Sequence, residues 1–245
     1  MSALHFYSEH EQKMRSEFLD LVDRCPIPRE VRLDNSALFI RRQVLARYLF
    51  ADRLYQKILD VPGDILVFGV LWGQDLALFE SLHGIYEPYN YTRRLIGFDT
   101  FSGFPSVSSE DGNHQVGDLS VTPGYEDYLS KILDYHEQEA PISHVRRFEL
   151  VKGDVLDTLD PYMAKHPEMV IALVYIDIDL CAPTRHIIRT MIKYMPEGSL
   201  IVFDDLNLRE FPGETIAVKE TLGLQNCKLR RDGLHPTASY MVIGD

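Results

Sequence analysis

The chain has 245 residues, of which 45% are hydrophobic and 25% are charged, which excludes a wholly disordered protein. Its 25 basic and 37 acidic side chains give a formal net charge of −12, and so negative a protein repels nucleic-acid phosphates. It has no apolar run long enough to span a membrane, no signal pattern and only three widely spaced cysteines. We therefore expect a cytoplasmic protein without a nucleic-acid or membrane partner.

The apolar pattern predicts strands that alternate with helices. A first helix, capped by Asn35 or Ser36, is expected to run to about Leu59 and to end before Pro62 and Gly63. Strands are predicted at 64–70, 94–99, 147–152, 170–176 and 199–203, and further helices at 76–82, 125–139, 156–165, 183–194 and 214–222. The tail, 228–231 with 239–243, predicts a β-hairpin.

Strands separated by helix-length connections predict a parallel sheet with helices on both faces. The expected fold is α/β, a doubly wound and mostly parallel sheet with an N-terminal helical extension and a C-terminal β-hairpin. We expect residues 1–60 to form a helical segment packed on the core and residues 61–245 to form the α/β domain. Apolar residues near the N-terminus, Phe6, Phe18 and Leu19, suggest a homo-oligomer.

In open α/β sheets the ligand crevice lies at the carboxyl ends of the strands. After the first strand, Gly69 and Gly73 let the backbone turn close to a ligand, and Trp72 is either a ligand contact or a packing aromatic. Asp99 ends the second strand and either accepts hydrogen bonds from a ribose diol or stabilises a turn. Asp154 follows the third strand and either accepts from an adenine amino group or caps a helix. Together these positions favour an adenosine-bearing ligand.

Four aspartates follow the fourth and fifth strands: Asp177 and Asp179 after one, Asp204 and Asp205 after the other. If the two strands are neighbours, their ends lie about 5 Å apart, and the carboxylates repel one another unless some are protonated or a cation lies between them. An all-oxygen set favours Mg²⁺, Mn²⁺ or Ca²⁺ over Zn²⁺. The alternative is that one or two of these side chains cap helices.

One connection, residues 100–123, is much longer than the others and rich in glycine, serine and proline. Long loops inside compact domains commonly act as lids or binding loops, and the alternative is a plain mobile loop. His114 in this segment is either a substrate contact or base, or an ordinary solvated histidine.

At these residues the sequence resembles the class I S-adenosylmethionine-dependent methyltransferases, and specifically the macrocin O-methyltransferase family, which includes methyltransferases of macrolide and aminocoumarin sugars. The segments that carry the resemblance are FGVLWG (68–73), GFDTFSGFP (97–105), KGDVLDTL (152–159), IDIDL (176–180) and VFDD (202–205). The first segment is generic to the superfamily, whereas the last two together are fairly specific.

The resemblance implies a Rossmann-like fold and a role for each matching position. The methyl donor would contact Gly69, Trp72, Gly73, Asp99, Ser102, Asp154 and Val155. Mg²⁺ (or Mn²⁺) would be held by Asp177, Asp204 and Asp205, with Asp179 as the general base.

We therefore expect an S-adenosylmethionine- and Mg²⁺-dependent O-methyltransferase acting on a hydroxyl of a sugar linked to a nucleotide or natural product. A catechol-like small-molecule O-methyltransferase is the first alternative, because a phenolic diol also chelates Mg²⁺. An NAD-dependent oxidoreductase is the second, although the spacing Gly-x-x-x-Gly differs from the dinucleotide-binding pattern. A non-catalytic binding domain is the third, and it would leave the clustered aspartates without a reason.

Overall fold

The computed structural model describes residues 8–245, which form two compact units, one of residues 8–46 and one of Arg47–Asp245. In the first unit, helix α1 (Glu9–Asp23) begins with a capping box, in which the side chains of Ser8 and Glu11 each accept a hydrogen bond from the other's backbone N–H. A single helical turn, α2 (Arg29–Arg32), follows α1.

The predicted start of the next helix was wrong. Residues Ser36–Leu38 form only a short 3-10 turn, and helix α3 (Arg42–Lys57) begins six residues after Ser36. Asn35 does not cap a helix, because its side-chain amide donates backwards to the carbonyl oxygen of Val31 at 2.8 Å. Of the apolar residues expected near the N-terminus, Phe18 is half-buried, Leu19 is exposed, and Phe6 lies outside the described residues.

The second unit contains an alternation of helices and strands that follows the predicted one within a few residues. Its remaining helices are α4 (Gln74–Tyr86), α5 (Tyr125–Gln138), α6 (Val155–Lys165), α7 (Cys181–Met191) and α8 (Pro212–Thr221). Its strands are β1 (Asp64–Phe68), β2 (Leu95–Asp99), β3 (Phe148–Lys152), β4 (Ile171–Ile176), β5 (Leu200–Phe203), β6 (Arg230–Arg231) and β7 (Ser239–Val242).

The strands form one seven-stranded sheet in the order β3-β2-β1-β4-β5-β7-β6. Strands β1 to β5 are parallel, whereas β7 runs antiparallel to β5 and pairs with β6 as a hairpin. The predicted fold class is therefore confirmed. Because β4 lies between β1 and β5, the carboxyl ends of these three strands meet at the same edge.

Both faces of the sheet are buried, as the continuous apolar runs predicted. Alternate residues of β1 point to opposite faces: Ile65 and Val67 pack with α3, α4 and α5, while Leu66 and Phe68 pack with α6, α7 and α8. The helix α3 contributes Phe50 and Leu54 to this core although both lie before residue 60. The predicted packing of residues 1–60 as one segment stays a prediction.

Within residues 8–245, no helix combines the length and the apolar character that crossing a bilayer requires. The expectation of a homo-oligomer also stays a prediction.

Gly97 in β2 lies directly beneath α4, and a methyl group there would lie 2.4 Å from Cδ1 of Leu76 and 2.8 Å from Cγ2 of Val70. We expect Gly97→Ala to lower the free energy of unfolding by about 1–3 kcal/mol, because α4 must shift to accommodate it. The control is Gly84→Ala in α4, where the added methyl group meets nothing within 4 Å and should raise the free energy of unfolding by about 0.5–1 kcal/mol. Urea denaturation measures both, and equal effects would contradict this account.

Candidate active site

A cleft opens at the carboxyl ends of β1, β2 and β4, which is where ligands bind in open α/β sheets. Its walls come from the glycine turn after β1, the end of β2 with its following loop, the start of α6 and the acidic segment after β4. Among the predicted site residues, those that line it are Gly69, Asp99, Asp154, Val155, Asp177 and Asp179. The glycine turn, the two aspartates predicted to contact an adenosine-bearing ligand and part of the acidic cluster thus face one cavity.

The other three residues predicted to contact the methyl donor do not line this cleft. Trp72 is 50% exposed and packs edge-on against Tyr125, with ring centroids 4.9 Å apart. Gly73 adopts a left-handed conformation before α4, where a side chain would collide with Leu129. Ser102 is exposed on the loop after β2. Their assignment to the donor site stays a prediction.

Gly69 is required by close packing at the turn after β1. Its φ is +89°, and a Cβ there would lie 1.8 Å from the carbonyl oxygen of Asp177. No other residue fits between the ends of β1 and β4 at this separation. The glycine therefore lets the turn lie directly beside the acidic segment.

The carboxylate of Asp99 holds the glycine turn in place. One of its oxygens accepts from the backbone N–H groups of Val70 and Leu71, both at 2.7 Å, and the other accepts from Phe101 at 2.6 Å. Three of about four lone-pair positions are thus used by the chain itself. The predicted contact to a ribose diol would have to use what is left.

Asp154 caps α6, which was one of its two predicted roles. Its Oδ1 accepts from the backbone N–H of Leu156 at 2.9 Å, while the residue also lines the cleft. Val155, the first residue of the helix, is buried. Capping and a contact to a ligand are compatible, because a carboxylate has a second oxygen.

The acidic residues after β4 and β5 do converge. One carboxylate oxygen from each of Asp177, Asp179 and Asp205 lies within 4.8 Å of the others. Burial raises the pKa of Asp177 and of Asp179 well above the usual range, and repulsion from Asp204 and from Asp177, respectively, adds to the rise. Burial also raises the pKa of Asp205 to about 6. Three carboxylates so close together, of which Asp179 is buried and the other two are half-buried, favour either protons or a cation.

Asp204, the remaining predicted metal ligand, faces a different set of partners. Its Oδ1 accepts from the hydroxyl of Tyr175 and lies 3.6 Å both from a guanidinium nitrogen of Arg47 and from Nε2 of His235. The group that the structure brings together therefore contains the predicted base Asp179 in place of Asp204. The assignment of base and ligands stays a prediction.

Two residues of the cluster were missed from the sequence. Glu214, at the start of α8, is completely buried and accepts from the backbone N–H groups of Asp179 at 3.4 Å and Asp205 at 3.3 Å. Gly213 permits this approach, since a Cβ there would lie 2.3 Å from the carbonyl oxygen of Asp179. Arg47 on α3 is the second missed residue. A Pro-Gly-Glu start of a helix is the only signal that the sequence offers for Glu214.

The long connection 100–123 covers part of the cleft with Phe104, Pro105, Ser106 and Leu119. Its Asp111 accepts from the backbone N–H of Cys181 at 2.7 Å. His114 does not line the cleft: its Nε2 donates to the carbonyl oxygen of Glu210 at 3.0 Å and its ring stacks on Phe211. The histidine thus fastens the loop to the segment before α8.

Known proteins resemble this chain over nearly its whole length. The crystal structure of CalS11, a calicheamicin methyltransferase, is 40% identical, covers 98% of this chain and 95% of its own, and superposes with a TM-score of 0.94. An apo structure of CalS11, described as a TDP-rhamnose 3'-O-methyltransferase of calicheamicin biosynthesis, is 39% identical over 98% and 96% of the two chains, with a TM-score of 0.87. The chain belongs to this family of O-methyltransferases.

The resemblance to class I methyltransferases that the motifs indicated is thereby confirmed, and the protein is a methyltransferase. The O-methyltransferase NovP shares the fold, at 17% identity over 80% of this chain and 79% of its own, with a TM-score of 0.59. No protein-family model matches the chain, and no curated protein matches it. Membership of this family removes the reason to consider an oxidoreductase or a non-catalytic domain.

For the methyltransferase we expect Asp99→Asn to lower the free energy of unfolding by about 1–3 kcal/mol, because the amide nitrogen must face a backbone N–H of the glycine turn. Asp154→Asn is the matched control, since an asparagine caps a helix about as well as an aspartate. Urea denaturation compares the two variants, and equal stability would contradict the role assigned to Asp99.

The acidic cluster also predicts a pH dependence. A carboxyl whose pKa is raised on folding binds its proton more tightly in the folded state, so its contribution to stability is lost as the pH rises from about 4 through the folded value of about 6. Without divalent ions, Asp205→Asn should therefore gain thermal stability relative to the wild type between pH 4.5 and pH 8. Asp60→Asn, an exposed carboxylate, is the control. If the melting temperatures of the wild type and of Asp205→Asn changed by the same amount between pH 4.5 and pH 8, the expectation would be contradicted.

Proposed function

We propose that the protein is a Mg²⁺-dependent O-methyltransferase that moves a methyl group from S-adenosylmethionine to a hydroxyl of a sugar linked to a nucleotide or natural product. The observation that carries this proposal is the 40% identity to CalS11 over 98% of the chain. CalS11 is described as a TDP-rhamnose 3'-O-methyltransferase, which supports a sugar acceptor here. A catechol acceptor is the alternative that the experiment below compares.

The cleft supports binding of the methyl donor. It opens at the carboxyl ends of the parallel strands, it begins at a glycine turn where backbone replaces side chain, and Asp99 and Asp154 line it. When bound, S-adenosylmethionine supplies an electrophilic sulfonium methyl group. Gly69, Asp99, Asp154 and Val155 are the residues that we assign to holding it, with Trp72, Gly73 and Ser102 in support by resemblance alone.

The acidic cluster supports binding of a divalent cation. Its donors are carboxylate oxygens, which suit Mg²⁺ or Mn²⁺, and a cation between them would relieve the mutual repulsion that, after burial, raises the pKa values of Asp177 and Asp179. Asp177, Asp204 and Asp205 are the ligands that we propose. When bound, Mg²⁺ supplies Lewis-acid stabilisation of an acceptor oxygen.

Asp179 is the proton acceptor that we propose. It lines the cleft and is only 4% exposed, and burial makes its carboxylate more basic than one in water. Once ionised, as a bound cation nearby would favour, a more basic carboxylate removes the hydroxyl proton more readily. Its backbone is in the left-handed region at φ 68°, and Glu214 accepts from its N–H, so the side chain is held at the edge of the cleft.

Activity of Asp179→Asn tests the proposal. We expect turnover to fall by about 10²–10⁴-fold, because a general base is lost, while S-adenosylhomocysteine still binds by isothermal titration. The control is Asp157→Asn, an exposed carboxylate on α6. Retained turnover in Asp179→Asn would remove this residue from the chemistry.

Metal removal and a choice of acceptors test the remaining parts. We expect EDTA to abolish turnover and Mg²⁺ to restore it, and TDP-rhamnose to be methylated faster than catechol. Full activity in EDTA would contradict the metal role. Faster turnover on catechol would favour the alternative acceptor.

A further inference from the structure

Arg47 brings a positive charge to the carboxyl ends of the central strands. Its guanidinium grips Asp75 with two nitrogens, at 3.1 and 2.7 Å. The nitrogen at 2.7 Å also donates to Oδ2 of Asp177 at 3.1 Å and lies 3.6 Å from Oδ1 of Asp204. One arginine thus faces three carboxylates, two of which are proposed metal ligands.

This contact divides the strand-end carboxylates into two sets. Asp204 accepts a hydrogen bond from Tyr175 and lies within ion-pair distance of Arg47, whereas Asp179 and Asp205 approach Asp177 to within 4.8 Å and make no ion pair with the guanidinium. Asp177 belongs to both sets. A cation bound by Asp177 and Asp204 would compete directly with the guanidinium for the same oxygens.

Asp75 would keep the guanidinium of Arg47 bound when a cation displaces it from Asp177 and Asp204. This residue lies in the first turn of α4, outside the carboxylate group that could hold an ion, and its side chain is only 12% exposed. The two-nitrogen grip on Asp75 does not depend on Asp177 or Asp204. Arg47 therefore needs to give up only its outer contacts.

We infer that Arg47 is a resident counter-ion that competes with the divalent cation for Asp177 and Asp204 and thereby sets the affinity for metal. The inference rests on the proposed metal-dependent function. In the metal-free enzyme the guanidinium offsets the repulsion between the two carboxylates. The same charge repels an incoming cation and keeps the site from binding it too tightly to exchange.

Mn²⁺ binding, measured by electron paramagnetic resonance of the free ion, tests the inference without any turnover. We expect Arg47→Gln to bind Mn²⁺ about tenfold or more tightly than the wild type, because a repelling charge a few ångströms away is removed. The matched control is Arg53→Gln on the same helix, which pairs with Asp232 instead of the cluster and should leave the affinity unchanged.

A second pair of variants keeps the test decisive if Arg47→Gln does not fold. Asp75→Asn removes the anchor, and the double variant Arg47→Gln with Asp75→Asn removes the pair without leaving a lone buried charge. The double variant should again bind Mn²⁺ about tenfold or more tightly than Asp75→Asn alone.

The outcomes separate this inference from the proposed function. Mn²⁺ binding by the wild type with no gain in the arginine variants overturns the role of Arg47 and leaves the metal role intact. An equal gain in Arg53→Gln also overturns it, because the effect would then be general electrostatics. Failure of both the wild type and Arg47→Gln to bind Mn²⁺ overturns the inference together with the metal part of the proposed function.

Discussion

The repulsion between buried carboxylates at the ends of β4 and β5 is the constraint on which the site depends. Asp177, Asp179 and Asp205 lie within a few ångströms of one another, and the buried Glu214 adds a fourth acid behind them. Carboxylates crowded in a poorly hydrated site raise one another's pKa values, and bound protons or cations relieve their repulsion. The arginine on α3, the backbone donors and the proposed metal all address this one requirement.

Two glycines make such crowding possible. Gly69 lets the turn after β1 touch the carbonyl of Asp177, and Gly213 lets the start of α8 touch the carbonyl of Asp179. A side chain at either position would push the acidic segment away from its neighbours. The segment between β4 and α7 is therefore held on two sides by backbone, which leaves its carboxylates free to face the cleft and one another.

The sequence predicted the sheet well because its signals are local. The apolar runs of β1, β4 and β5 each predict a strand buried on both faces, and their parallel order brings the acids after β4 and β5 together. Partners far apart in the chain were not predictable in this way. Arg47 and Asp177 are separated by 130 positions, and no pattern of spacing links them.

The sequence also could not decide between two chemically reasonable roles for a single residue. Asp154 could cap a helix or meet a ligand, and only its 2.9 Å bond to Leu156 shows the cap. Asp99 likewise uses one oxygen on the turn after β1, because that turn places two N–H groups against it, and the other on the N–H of Phe101. Local pattern identifies where such a side chain lies, whereas the direction of its hydrogen bonds depends on the assembled fold.

The loop at 100–123 shares a hydrogen bond with the helix that follows the acidic segment. Its buried Asp111 accepts from the N–H of Cys181, two residues beyond Asp179, while Phe104 and Leu119 of the same loop wall the cleft. A methyl-acceptor substrate large enough to displace this loop would break the hydrogen bond to the N–H of Cys181. A buried N–H group without a partner costs about 1–3 kcal/mol. Loss of this hydrogen bond at the start of α7 would thus disfavour oversized molecules, in addition to any steric fit around the reacting hydroxyl.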